Sequence, residues 1–448
     1  MEDLHMRELI GNPDDWYEAW ENTPLDESKD FLLATIREDL PDDFDETTDF
    51  NGVVLEWVGE VYEKQRDFIT ALEFLEEYAE KQPVLYADSA AYFAAYYLNF
   101  YFFTGEFEKV KAQYEFFLAN PCDKVEETLE FHNKLWYWGR HEWALGLARS
   151  SYKPVFESPD IFDWVARELA LPVLYDALQK AREQYEATGR VDFSEAEEVT
   201  KEFGFTIEKK VWKDFEHLFT AAPDDKLLLE EMLNPSPENS HKLVTLFQLY
   251  MHRRGMHFHT ASMIINDLYN FWKKEANKKR LPAERFFRLE KNAFERHLGS
   301  HKKLFFINTT EAYKSLWGAM YVYDFLLSRQ LVPQAVYDEA LQTIRSLKSI
   351  VCKSGKHVLW TVGFIPKAWQ KPDGMSTEEF EQEAALFERS FREPFEPDEE
   401  TEPELDFKKA VNLLFEADKK VPAYEKKPRP PRNPANKASR KKKRKKKK

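Results

Sequence analysis

Apolar residues recur along this chain at three- and four-residue intervals, not in strict alternation, and that period predicts packed helices. Leu243, Leu246, Phe247 and Tyr250 form one stripe, Ile264, Leu268, Phe271 and Trp272 a second, and Leu316, Met320, Tyr323 and Leu327 a third. Gly255 falls where the first two helices would turn, and Val336, Leu341, Ile344 and Leu347 supply a further helix over 334–351 after Pro333. Near the start, Trp16–Trp20 and residues 28–40 read as helices, followed by an acidic loop over 41–46 that lacks the ligand order and central glycine of a calcium loop. Ser158-Pro159-Asp160 marks a helix start with Ile161, Trp164, Val165 and Leu169 on one face. Ser194-Glu195-Ala196-Glu197 and Ser376-Thr377-Glu378-Glu379 fit capping boxes, the second opening a helix through about Phe391. Pro235 and Pro237 exclude a continuous helix between them. The best strand candidate is His357–Phe364, rich in β-branched and aromatic residues, with an ordered loop packed on the helices as the alternative. A last helix is expected over 406–419.

Between residues 52 and 149 the helical pattern itself repeats. Leu55, Gly59, Tyr62, Ala71, Leu75 and Pro83 are spaced as the bulky, tight-contact, aromatic, small, bulky and terminating positions of a helix-turn-helix unit. Tyr97, Tyr101, Gly105, Val110, Tyr114 and Pro121 take comparable places in a second unit, and Phe131, Leu135, Gly139, Ala144 and Ala148 in a third. The turn glycines Gly105 and Gly139 are 34 residues apart, whereas Ala71 and Val110 are separated by 39. The stretch resembles tetratricopeptide repeats, helix pairs that bury their apolar faces by stacking on one another. It departs from that family at Leu98, where a glycine is expected, at Val110, which replaces a small residue, and at Ser150-Ser151-Tyr152, where no proline ends the unit. The resemblance implies a groove that accepts an extended peptide or a helix, with Tyr62, Tyr97, Tyr101 and Asn133 as candidate partner-binding residues. Three ordinary helix pairs are the plain alternative, in which the tyrosines are core.

The expected fold class is therefore all-α: tandem helical hairpins in a tetratricopeptide-like solenoid, then a second helical array and a disordered basic tail. The corresponding blocks are 1–155, connecting helices over 156–235, a second helical block over 236–352, a mixed loop and helix region over 353–425, and a polybasic tail over 426–448. With 448 residues the chain can bury large cores. Only 14 are glycine, well below the usual ~7%, which argues against glycine-rich phosphate loops and tight-turn β folds. The 12 Trp, 20 Tyr and 36 Phe suit large knobs between helices. Cys122 and Cys352 cannot make a disulfide framework or a cysteine zinc cage. No run reaches the ~18 apolar residues of a membrane span, and the N-terminus lacks a secretory pattern. A cytoplasmic location is expected, with the nucleus as the alternative in a eukaryotic source.

Charge polarises this picture. The net value is −16, yet Lys426–Lys448 carries 14 basic residues and no acidic one, leaving the rest of the chain at −30. Met1–Asn120 alone holds 29 acidic and 8 basic residues. Such an acidic block suits a partner with a basic face. The tail, including Arg440, Lys441, Lys442, Lys443 and Arg444, has no apolar side chains to bury and is a candidate for nonspecific contact with RNA or DNA.

Within the acidic body, Phe271–Lys303 has 11 basic and 4 acidic residues. Lys273, Lys274, Lys278, Lys279, Arg280, Arg285 and Arg288 accompany Trp272, Phe286 and Phe287. Cations neutralise phosphates and rings stack on unpaired bases, so this segment is a second nucleic-acid candidate; the alternative turns the rings to the core and the cations to water. His252, His257 and His259 lack any zinc signature and read as a polar turn rather than a metal site. Neither a Walker phosphate loop nor a serine-hydrolase elbow is present, and no cofactor or metal is expected. The sequence thus points to a non-enzymatic helical-repeat scaffold that binds a protein partner, its tail adding nucleic-acid affinity. One alternative is an RNA- or ribosome-associated factor using 271–303 together with the tail. Another is an enzyme whose site is assembled from distant residues such as His252, His257 and Glu311.

Overall fold

The computed structural model describes residues 2–220, 240–279, 286–300, 302–303, 306–307 and 309–394. The sequence features at 235–237, 406–419 and 426–448 lie outside them. Among the described residues the protein is all-α apart from a two-residue antiparallel pairing of Lys302–Lys303 with Phe306–Ile307.

The first helices are α1 (Glu2–Ile10), α2 (Pro13–Glu21), α3 (Leu25–Ile36) and α4 (Phe44–Thr48). Trp16 on α2 is fully buried, its ring 5.4 Å from Phe44 and 5.6 Å from Phe50, and its indole N–H donates to Thr35 Oγ1 at 3.1 Å. This aromatic nucleus shortens the expected acidic loop. Phe44 is pulled into the core and starts α4, and the Asp45 carboxylate accepts the Asn51 backbone N–H at 2.6 Å.

Three helix pairs follow. They comprise α5 (Phe50–Gly59) with α6 (Phe68–Lys81), then, after α7 (Pro83–Ala87), α8 (Ala90–Thr104) with α9 (Lys111–Ala119), and α10 (Val125–Tyr137) with α11 (His141–Glu157). Gly105 and Gly139 end α8 and α10 at φ of 81° and 70°, the left-handed region that suits a residue without Cβ. Ala71, Ala144 and Ala148 are fully buried at the helix contacts.

The chain then forms α12 (Asp163–Thr188), α13 (Ser194–Glu202) and α14 (Lys209–Thr220). Helix α12 begins three residues later than Ser158-Pro159-Asp160 suggests. Ser158 precedes a proline and is extended at ψ 127°, which breaks the chain after α11. The Ser194 capping box does not form either: the Asp192 carboxylate accepts the Ser194 N–H at 2.9 Å, and the Ser194 side chain caps no amide.

The second array comprises α15 (Ser240–His252), α16 (Phe258–Lys279), α17 (Lys291–Ser300), α18 (Thr309–Ser328) and α19 (Gln334–Ser354), with Gly255 at φ 78° between α15 and α16. The strand candidate is instead a 3₁₀ segment, Lys356–Val362, running into α20 (Phe364–Ala368). Adjacent residues Leu359 and Trp360, and again Phe364 and Ile365, are all buried, a pattern that alternating strand faces cannot give. Last comes α21 (Thr377–Arg392), where Ser376 Oγ accepts the Glu379 N–H at 3.0 Å and so caps the helix as its sequence requires.

One hydrophobic core runs from Met6 to Phe387 through every block, and a small satellite of Val125, Val155, Val165, Ala166 and Leu169 lies at the α11–α12 corner. Among the described residues no helix is long and apolar enough to cross a membrane.

Candidate functional site

The tyrosines expected to line a groove are interior. Tyr62 is 1% exposed, its hydroxyl donating to the Tyr96 carbonyl at 2.6 Å and its ring packed edge-on against Phe68. The Tyr97 hydroxyl donates to the Leu72 carbonyl at 3.3 Å, and Tyr101 is buried beside it with the Lys109 ammonium 5.3 Å above its ring. Burial pushes all three phenols above their ordinary range. Asn133 on α10 is half-buried. For Tyr62 the cause is long-range. Trp360 lies 5.6 Å from Tyr62 and 5.2 Å from Phe68, and Phe391 stacks on Phe68 at 4.7 Å and on Phe103 at 4.5 Å. The protein's own C-terminal elements cover this face of the helix pairs.

The basic segment divides in the same way. Lys273, Lys274 and Arg288 are exposed, whereas Trp272, Phe286 and Phe287 are buried against one another, Phe286 and Phe287 at 5.1 Å. The cations face solvent without the rings that would stack on bases. The side chains of Lys278 and Lys279, together with Arg280, Arg285 and Arg440–Arg444, lie outside the described residues.

The histidines come together far more closely than their spacing suggests. A cavity of about 120 Å³ opens between the α10–α11 turn, the α15–α16 turn and the segment after α20, with Trp136, Tyr137, His141, Arg254, His257 and Trp369 in its wall. His257 is buried; its Nδ1 accepts the His259 N–H at 3.0 Å and its Nε2 lies 3.3 Å from Asp176 Oδ1, which places its proton on Nε2. His141 stacks on Trp136 with 5.1 Å between centroids, 4.6 Å from His257. Burial, aided by His257, pushes His141 down to about 4, so it is a neutral imidazole at neutral pH. Behind Trp136, His132 Nε2 accepts the indole N–H at 3.1 Å, and burial pushes it down to about 3. His259 is driven well below its usual value by the same burial.

Of the residues suggested for an assembled active site, His252 lies away from the cavity wall with its Nε2 3.9 Å from Glu183. Glu311 accepts the Tyr137 hydroxyl at 2.5 Å and pairs with Lys314, behind the cavity-lining Tyr137. Among the described residues no group of three or more His, Cys, Asp or Glu is arranged to hold a metal ion.

A surface the sequence did not single out lies at the α11–α12 corner. Phe156, Phe162 and Trp164 are 53%, 73% and 57% exposed, and Glu157, Asp160 and Asp163 are exposed among them. Trp164 therefore departs from the face assigned to it. Val165 and Leu169 are buried, and Trp164, one position earlier, is turned about 100° away from Val165. The available signal was that phase: Phe156 follows buried Val155, and Trp164 precedes buried Val165.

No family model matches the sequence, and neither a curated protein nor a solved structure matches the chain.

Proposed function

We propose that this protein is a non-enzymatic helical scaffold that docks a protein partner through the α11–α12 corner, while Lys426–Lys448 adds nonspecific affinity for RNA or DNA. The observation that carries this reading is the exposed group Phe156, Phe162 and Trp164 interleaved with Glu157, Asp160 and Asp163. Phe162 and Trp164 are left mostly in water beside an already filled satellite core, Phe156 stacks on Tyr152 at 5.7 Å with about half its surface exposed, and exposed aromatics of this kind serve as interface anchors. The carboxylates among them select a partner segment that brings Lys or Arg beside apolar residues. The filled face at Tyr62 and Tyr97 moves the docking role away from a repeat groove and onto this corner.

The test is affinity purification of the full chain, of a version ending at Glu425 and of a Phe162→Ser, Trp164→Ser variant, each with and without nuclease. A partner bearing a basic segment that survives truncation and nuclease but is lost in the double variant, and that binds the purified wild-type chain directly, supports the scaffold. A partner set unchanged by the double variant but lost with nuclease or with the tail would sink it in favour of a nucleic-acid-associated factor.

A further inference from the structure

We infer that the cavity between the α10–α11 turn, the α15–α16 turn and the segment after α20 is a binding site for a small, one-ring aromatic carboxylate. The size sets the first limit. A dry cavity of about 150 Å³ admits benzene, so an open-mouthed space of about 120 Å³ accommodates a single six-membered ring whose polar end stays at the mouth. The walls suit such a ring: Trp136, Tyr137, Met251, Met256, Ala368 and Trp369 present apolar surface.

The polar groups then choose the head. Among the described residues Arg254 is the only formally charged one in the wall, and none of them brings a carboxylate to the lining. Its Nη2 donates to Asp373, whose side chain is 63% exposed, so that pair is solvent-screened, and the guanidinium lies 4.3 Å from the Tyr250 ring centroid, which positions it. The other guanidinium N–H groups are left for an anion, which planar carboxylates accept in pairs. Trp369 gives the wall ring surface only, because its indole N–H is fully buried and so is not presented to the cavity. His257 cannot hydrogen-bond the ligand because both its ring nitrogens are engaged, whereas His141, neutral and stacked on Trp136, offers the ligand a donor or an acceptor without a charge.

Gly139 and Gly255, both at positive φ, also line the cavity, and a Cβ on Gly255 would stand 3.4 Å from Gln370 Nε2 in the same wall. None of these groups belongs to the α11–α12 corner, so the site stands or falls separately from the docking surface.

Isothermal titration calorimetry of the full chain with benzoate, benzamide and acetate tests the inference. Benzoate is expected to bind saturably in the millimolar range or tighter, and both the uncharged amide and the ringless acid about tenfold more weakly. Arg254→Gln should weaken benzoate about tenfold, the loss expected for a charge-assisted hydrogen bond. Trp369→Leu, which removes ring surface from the wall, should weaken it several-fold. Arg254 is a partly exposed side chain, so its variant keeps the test decisive if Trp369→Leu fails to fold. Absence of saturable benzoate heat, equal binding of benzamide, or unchanged affinity in Arg254→Gln each overturns the site.

Discussion

Arg66 illustrates how a single side chain can join distant parts of this chain. It sits at φ 61°, a left-handed conformation costing a non-glycine residue about 1–2 kcal/mol, and it is nevertheless buried. Its guanidinium donates to the carbonyls of Glu63, His357 and Glu393, the last at 3.3 Å, and lies 5.8 Å from the Trp360 ring centroid. Burial, opposed in part by Glu63, pulls its pKa down to about 10, so it remains charged at neutral pH. Hydrogen bonds from a charged donor contribute about 1.5–3 kcal/mol each and outweigh the backbone cost. Arg66→Gly, which relieves the backbone and removes the fork, should therefore be less stable than wild type by about 2 kcal/mol in urea unfolding. Equal stability would mean that the strain offsets the clamp. Arg66→Lys should not restore it, because a point ammonium cannot span three carbonyls. Two of those partners are 291 and 327 residues away in sequence, and no local pattern marks them. Tyr62 carries the same lesson: its spacing identifies a packing position, but the Trp360 ring that covers it lies almost 300 residues on.

Helix punctuation was the most legible feature at the level of elements, where competing local groups were absent. Gly139 ends α10 at φ 70°, and a Cβ built there meets nothing within 4 Å, so Gly139→Ala isolates the conformational penalty and should cost about 1 kcal/mol in thermal or urea unfolding. No change would show that the turn relaxes to another conformation. Ser376→Ala should likewise cost about 1 kcal/mol by removing the acceptor for the Glu379 N–H, whereas Ser194→Ala should stay within about 0.5 kcal/mol. The two motifs read alike in sequence. They differ because Asp192 captures the Ser194 N–H and Phe193 is held at φ −100°, ψ 10° against Trp212, 5.3 Å away. The 3₁₀ segment at Lys356–Val362 was illegible for a related reason: its β-branched and aromatic residues are demanded by burial under α21 and against α8, not by strand pairing.

Across the whole molecule, packing of the second array on the helix pairs creates a histidine-rich interior that no linear spacing reveals: His132 on α10 and His259 on α16 bring their rings to 6.4 Å. Neither can take a proton without placing a charge in the core, and burial pushes His132 from 6.5 to about 3. The sign follows from linkage. Below about pH 6.5 the unfolded chain binds a proton at this residue and the folded protein does not, so the stability contributed by neutral His132 is fully present above that pH and lost as the pH falls toward 3. The slope is up to about 1.4 kcal/mol per pH unit. Glu127 acts in the opposite sense, since burial and then the neighbouring Glu130 push its carboxyl up to about 6, and protonation there favours the folded state between about 4.5 and 6. A difference measurement removes that common contribution. His132→Gln loses the paired imidazole and should be less stable near neutrality by about 1–2 kcal/mol. As pH falls below about 6.5 the gap between the two proteins in urea unfolding should close and then invert, because only wild type has a buried imidazole to protonate. A gap that stays constant down to about pH 4 would mean that His132 titrates as it does in the unfolded chain, and that the histidine interior is open to water.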